Sequence, residues 1–506
     1  MRRPSTYWKK RPMNPDIYLT RWKELKKNGP ALSEIDKLAR QVALSFMDAC
    51  LYCKRYEPFY IDLLCEMATS FEDAELNARV SGALFGIVVE GLCDEFEEMQ
   101  VDIYDRVMCQ IIAFCRRLPQ GAELDRRLAG FGYTTQESLL GRAAALRKSL
   151  LIKDTLERPE KIIFLSRITI GADVAITSVL IQRFAEAFPD AEIVLLGGAK
   201  LNGLFGAGPR IRVHELNYPR HGKLLARFSS WMAVLEAIDQ EAAPVDGRVQ
   251  VVDPDSRLTQ LGILPVIEPG KYFFFNSRDS HALSDQMSLS ELANEWANRV
   301  LPEPGFCSPT TWIDRRSKTT VAGLLERIRR VSKRLVTVNL GVGGNTRKRL
   351  DADFELKLLA KLLLEPGTTL ILDCGAGDEE KKRAERLLEA LRAQGFNTDA
   401  TDLRSEISLS APGIISVECG VGEIAALISG SDEFIGYDSA CQHIAAATGI
   451  PTYTVFAGSN NPRFVRRWHA LGKARSEIIH VDTLSSHQMF DNDDVIHRIN
   501  YARNNQ

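Results

Sequence analysis

The stretch from Glu433 to Phe456 constrains the fold of this chain more than any other. Glu433-Phe-Ile-Gly-Tyr437 is a short apolar run and Asp438-Ser439 a polar break. Ala440 to Thr448 reads as a helix of small residues, and Thr452-Tyr-Thr-Val-Phe456 as a second apolar run. Strand, loop, helix and strand in that order form one repeat of an open α/β sheet. The loop then lies at the carboxyl end of its strand, where such sheets bind ligands. The helix begins beside Asp438 and Ser439, and its free N–H groups and partial positive charge suit a phosphate. His443 falls one turn beyond Ser439, either on the same cleft-facing side or packed in the core.

The same order of elements starts earlier. Lys161-Ile-Ile-Phe-Leu-Ser166 is an apolar run, an amphipathic helix is predicted from about 173 to 188, and Ala191-Glu-Ile-Val-Leu-Leu196 is the next strand. Such a βαβ unit is right-handed almost without exception. Further strands are predicted at 248–252 and 272–275, then at 335–340, 369–373 and 413–416. Pro302, Pro304, Gly305 and Pro309, followed by a basic helix, mark a join between two α/β domains. Upstream, Ile35, Leu38, Val42, Phe46 and Cys50 recur at helical spacing behind a Ser33/Asp36 capping-box signal. The expected plan is a helical domain at 1–150 and Rossmann-like domains at 160–320 and 333–480. A helical tail at 481–506 completes it.

Length and composition limit the function classes. A chain of 506 residues holds about two to four domains. With 64 Lys+Arg against 66 Asp+Glu, no global field for nucleic acid or membrane is expected. No apolar run reaches the length of a spanning helix, and no signal-peptide core follows the basic amino terminus. A cytoplasmic protein is expected, with membrane contact at most peripheral. The ten cysteines do not suggest a disulfide scaffold. Cys50 and Cys53 have metal-ligand spacing without a second close pair, so buried free thiols are expected rather than a metal site.

Three loops carry candidate chemistry. Asp173 lies between a strand and a helix, in Gly171-Ala172-Asp173, where Asp is a favoured N-cap. Gly341, Gly343 and Gly344 precede Asn345-Thr346-Arg347-Lys348, a loop that lets backbone N–H groups and cations approach an anion. Asp438, Ser439 and His443 form the third. Arg257 and Arg278 follow strands and can either bind an anionic acceptor or close surface ion pairs. Asp378 and Glu379, behind Asp373-Cys-Gly-Ala-Gly377, either cap the next helix or touch a ligand.

Over about residues 160–500 the chain resembles the lipopolysaccharide heptosyltransferases, glycosyltransferase family nine, most clearly at 433–456. Ala440 stands where the family usually has Gly, and Ala172 separates the usual Gly-Asp pair. The resemblance implies a GT-B frame and a metal-independent, inverting transfer of a heptose-like sugar. The donor would be a nucleotide-diphosphate sugar, ADP-heptose or a relative, with no other cofactor. It implies Asp173 as general base and a donor site of Gly343, Gly344, Thr346, Arg347, Lys348, Asp438, Ser439 and His443. Arg257 and Arg278 would meet the acceptor, whether glycan, lipid-linked sugar, protein or metabolite. The alternatives are a nucleotide-sugar epimerase or hydrolase using His443 or Glu423, and a non-catalytic nucleotide-sugar-binding protein.

Overall fold

The computed structural model describes residues 15–93, 96–148, 158–218, 222–278, 286–375, 377–403, 410–484 and 490–505. The basic residues up to 14, Asp279 and residues 485–489 of the expected tail lie outside the described residues.

Among the described residues seven α-helices come first: α1 (Pro15–Asn28), α2 (Leu32–Leu51), α3 (Pro58–Met67), α4 (Ala74–Ala83), α5 (Glu98–Arg116), α6 (Ala122–Gly130) and α7 (Gln136–Lys148). The chain continues through β1 (Lys161–Leu165), α8 (Ile170–Ala172), α9 (Ser178–Ala187), β2 (Glu192–Gly197), α10 (Asn202–Phe205) and β3 (Ile211–Glu215). Next are α11 (Ala226–Ala242), β4 (Val249–Asp253), β5 (Tyr272–Phe274), α12 (Leu289–Val300) and α13 (Arg315–Val331). Then follow β6 (Arg334–Asn339), α14 (Ala352–Leu363), β7 (Thr368–Asp373), α15 (Asp378–Ala393), β8 (Thr398–Thr401), β9 (Ile414–Val417) and α16 (Val421–Ser429). The last elements are β10 (Glu433–Tyr437), α17 (Ala440–Thr448), β11 (Thr452–Phe456), α18 (Pro462–Arg467), β12 (Ser476–His480) and α19 (Asn492–Asn504).

These elements form two compact units. The first gathers residues 1–149, 217–240 and 255–280. Ile35, Leu38, Val42, Phe46 and Cys50 line the buried face of α2, as their spacing predicts. The helix starts ahead of the expected capping box, and the Glu34 carboxylate accepts the Ala31 N–H at 2.9 Å. The later segments correct the expected domain at 160–320, because their side chains are tied to the helices. Arg142 Nε donates to Gly262 O at 3.2 Å, and Arg227 lies 4.3 Å above the Phe85 ring. Among the cysteines, Cys50, Cys65, Cys109 and Cys115 are buried free thiols, and burial pushes Cys115 up to about 12.

The second unit spans 150–216, 241–254 and 281–506 and holds two parallel α/β layers. In the first, the strands run β3-β2-β1-β4. In the second, the order is β12-β11-β10-β6-β7-β9-β8, every pair parallel. Interior strands covered on both faces read as continuous apolar runs, and β1 is buried at every position. Val336, Val338, Leu370, Leu372 and Ile435 pack with Phe354 and Leu358 of α14 in the second core. Each such side chain stabilises the fold by about 1.5–3 kcal/mol.

Chain order reverses between β6 and β10, and between β1 and β4. A crevice opens at such switch points beyond the strand carboxyl ends. The loops after β1, β6 and β10 therefore share the positions that ligands use in open α/β sheets. Among the described residues, no helix is long and apolar enough to cross a membrane.

Candidate functional site

Asp173 follows α8, at the end of the loop leaving β1. Its carboxylate accepts three hydrogen bonds, from Ser166 Oγ at 2.6 Å, Arg167 N at 2.8 Å and Thr177 Oγ1 at 2.9 Å. The side chain is buried, and burial pushes its pKa up to about 6 against the opposing pull of those donors. Both oxygens thus hold the β1 loop in shape. Asp173 is not the N-cap that its sequence position suggested: α8 has Thr169 as its N-cap. From Asp173 to Thr177 the backbone makes an i→i+5 turn, closed by Ser178 N–H on Asp173 O. A turn of this kind takes up one extra residue within a helix.

Gly171, just before, faces α17. A Cβ there would lie 3.1 Å from Ala440 Cα and 3.1 Å from His443 Cδ2. The structure thus brings the β1 loop and the first turn of α17 into direct contact.

At the carboxyl end of the second sheet, register sets Asn339 opposite both Gly436 and Asp373. Ser439 is the N-cap residue of α17, yet its side chain makes no capping bond. Its hydroxyl donates instead to Asn339 Oδ1 at 3.0 Å. Asn339 Nδ2 donates to Asp373 Oδ2 at 2.6 Å, which fixes the amide orientation, and Gly375 N donates to Asp373 Oδ1 at 3.0 Å. The first-turn N–H groups of α17 therefore receive no side-chain cap, and the helix end keeps its attraction for an anion.

Asp438 sits beside this turn. Lys348 Nζ donates to its Oδ2 at 2.5 Å and Gln442 Nε2 to its Oδ1 at 2.7 Å. Lys348 also lies 5.7 Å above the Phe464 ring. Gly343, Gly344, Thr346 and Arg347 form an exposed loop next to Lys348 in sequence. Gly343 and Gly344 adopt φ +60° and +88°, a left-handed path that other residues rarely take. The first turn of α15 fixes this loop: Glu380 Oε1 accepts Val342 N at 3.2 Å, and Glu379 pairs with Arg349 at 3.0 Å. A cavity of about 350 Å³ lies at the ends of β7 and β9, lined by Cys374, Gly375, Asp378, Lys381, Glu418 and Cys419.

Gly458, not anticipated from the sequence, supports the loop from below. Its φ is +79°, and a Cβ would come within 2.5 Å of Arg347 O. Gly458→Ala is expected to shift the 346–348 turn, with a loss of whatever activity depends on that turn. The left-handed backbone adds a cost of roughly 1–2 kcal/mol. Steady-state kinetics and thermal melting together check this.

Three expected site residues stand differently. Arg278 is buried, paired with Asp255 at 3.2 Å and seated 5.1 Å above the Tyr104 ring, so it presents nothing to an acceptor. Arg257 is half-buried and lies 3.8 Å from Glu90. Both belong to the first unit. His443 is buried edge-on to Trp468, and burial with the nearby Lys348 charge pushes it down to about 3. It is neutral and packs α17 rather than supplying charge. No group of three or more His, Cys, Asp or Glu among the described residues is placed to hold a metal ion.

Residues 346–493 match the family model described as Glycosyltransferase family 9 (heptosyltransferase). A search of curated proteins finds no match. Among solved structures, the chain is similar to the family 9 glycosyl transferase of Veillonella parvula DSM 2008, at 14% identity and a TM-score of 0.49, covering 69% of this chain and 97% of that one. It is similar to ADP-heptose lipopolysaccharide heptosyltransferase II of E. coli, at 15% identity and a TM-score of 0.42, over 68% and 98% of the two chains. The E. coli heptosyltransferase WaaC with ADP aligns at 14% identity and a TM-score of 0.43, over 68% and 99%. Lys348 and the Asp438 loop fall inside the matched residues, so most of the second α/β layer, from Thr346 onward, matches the family 9 glycosyltransferase model.

Proposed function

We propose that the chain is a metal-independent, inverting glycosyltransferase of GT-B type, working in the cytoplasm. It moves a heptose-like sugar from a nucleotide-diphosphate sugar, ADP-heptose being the leading candidate, to an acceptor hydroxyl. The observation that carries this reading is the first turn of α17, left without a side-chain cap beside Lys348 inside the matched domain.

In this account the diphosphate lies on that turn. Lys348 and the exposed Thr346 and Arg347 neutralise the charge that grows as the diphosphate leaves, a preorganised electrostatic effect. Asp438 holds the lysine, and Ser439 stays turned toward Asn339. The cavity by Cys374 and Cys419 receives the nucleoside. Asp173 takes the acceptor proton, since a carboxylate near pKa 6 is basic enough and ionised at neutral pH. Its present donors hold both oxygens, so one of them yields as the acceptor enters.

The test is a panel of nucleotide sugars scored for binding and for turnover, with and without EDTA. Transfer from ADP-heptose that survives EDTA is expected. Hydrolysis or epimerisation without transfer would favour the alternative chemistries on this fold. Sensitivity to EDTA would defeat the metal-free mechanism.

A further inference from the structure

The helix α13 carries a charge pattern that the sugar-transfer site does not use. Arg315, Arg316, Lys318, Arg327, Arg329 and Arg330 oppose a single carboxylate, Glu326, in a chain whose net charge is only −2. Val321, Leu324 and Ile328 form its buried stripe. At about 100° per residue, Arg315, Arg316, Arg327 and Arg330 fall within one roughly 120° sector on the opposite side, a sector that Glu326 shares, so the face carries four cations and one carboxylate. All four are exposed, and none makes an ion pair or side-chain hydrogen bond with a described residue. Arg329, by contrast, is held by Asp432 at 2.6 Å.

This arrangement is unfavourable within the molecule. Arg315 and Arg316 occupy the first turn, where the helix dipole repels cations. Arg327 and Arg330 are like charges three residues apart. Between the two pairs, the exposed face carries Thr319, Thr320 and Gly323, too short to hold a flat object away from the arginines. The pairs stand about 17–20 Å apart along the axis.

We propose that this face of α13 docks the protein on an anionic lipid surface. Mobile headgroups can gather at two fixed cation pairs on a plane, and juxtamembrane cations are attracted to such surfaces individually. The helix has no aromatic residue for stacking on bases, which single-strand binders use. It also has no exposed apolar wedge, so the docking is electrostatic, reversible and sensitive to salt.

The full-length chain is sedimented with vesicles of phosphatidylcholine alone or with about a third phosphatidylglycerol, at low and high salt. Binding to the anionic vesicles only, lost at high salt, is expected. Each cation contributes about fivefold in partitioning, so R315Q/R316Q and R327Q/R330Q should each weaken it about twenty-five-fold. Thermal melting should be unchanged, because the four side chains have no partners to lose. Absence of binding to anionic vesicles, or undiminished binding by both variants, would overturn the proposal. So would tighter binding to a double-stranded DNA control than to vesicles. Nucleotide-sugar turnover in solution does not enter these readouts, so this proposal and the sugar-transfer reading can fail separately.

Discussion

Asp173→Asn is expected to lower kcat about 10²–10⁴-fold, the usual contribution of a general base, while the protein melts no lower than wild type at pH 7. The stability half of this result follows from burial. The carboxyl has its pKa raised from 3.8 to about 6 in the folded chain. The folded state therefore holds a proton that the unfolded state has lost between about pH 4 and 6. Stability linked to Asp173 is fully present below that window and is lost as pH rises through it. At neutral pH the ionised group costs the fold on the order of 1–3 kcal/mol, and asparagine removes that cost. Its oxygen can accept from Arg167 N and Thr177 Oγ1, and its amide can donate to Ser166 Oγ. The wild-type rate should fall as pH drops below about 6, and the variant's residual rate should not. If the variant keeps full transfer activity, Asp173 only anchors the β1 loop.

Lys348→Met should reduce kcat/KM about 10²–10³-fold, the scale of losing one preorganised charge contact. It should also destabilise the fold by about 1–3 kcal/mol, because Asp438 is buried and loses its cation while Lys348 itself is only partly buried. A double variant, Lys348→Met with Asp438→Asn, separates the two effects. Removing both charges should restore most of the stability, since no unpaired carboxylate remains, and should leave the activity low. Recovery of activity in the double variant would show that Lys348 acts only as a partner for Asp438. Urea unfolding and initial-rate kinetics on the three variants decide between these outcomes.

The readable parts of this molecule were its interior strands. β1, β6, β7, β10 and β11 are covered on both faces and announce themselves as apolar runs. The edge strands β3, β8 and β12 were not anticipated. Ile211-Arg-Val-His-Glu215, Thr398-Asp-Ala-Thr401 and Ser476-Glu-Ile-Ile-His480 mix polar residues into short strands, as edges exposed to solvent must.

The site shows the same division. Loops that follow interior strands could be placed from sequence, which is why Lys348, Asp438 and Ser439 emerged as candidates. Side-chain pairings across strands could not, because they depend on register. Asn339 and Asp373 reach each other only through the β6–β7 pairing, and the diversion of Ser439 from its helix follows from that contact. The partners of Arg257 and Arg278 were illegible for a related reason. They follow the strands β4 and β5, but the described residues 255–278 belong to the unit of the amino-terminal helices, and burial of Arg278 with Asp255 and Tyr104 leaves no trace in local pattern.

The most direct measurement is calorimetric titration of the full-length chain with ADP, repeated on Lys348→Met. A nucleotide diphosphate bound on the uncapped turn of α17 should give saturable heat with the wild type. Affinity should be at least tenfold weaker in the variant, because the lysine charge lies beside that turn. Absence of binding by the wild type, or equal affinity in the two proteins, would contradict a donor diphosphate held there.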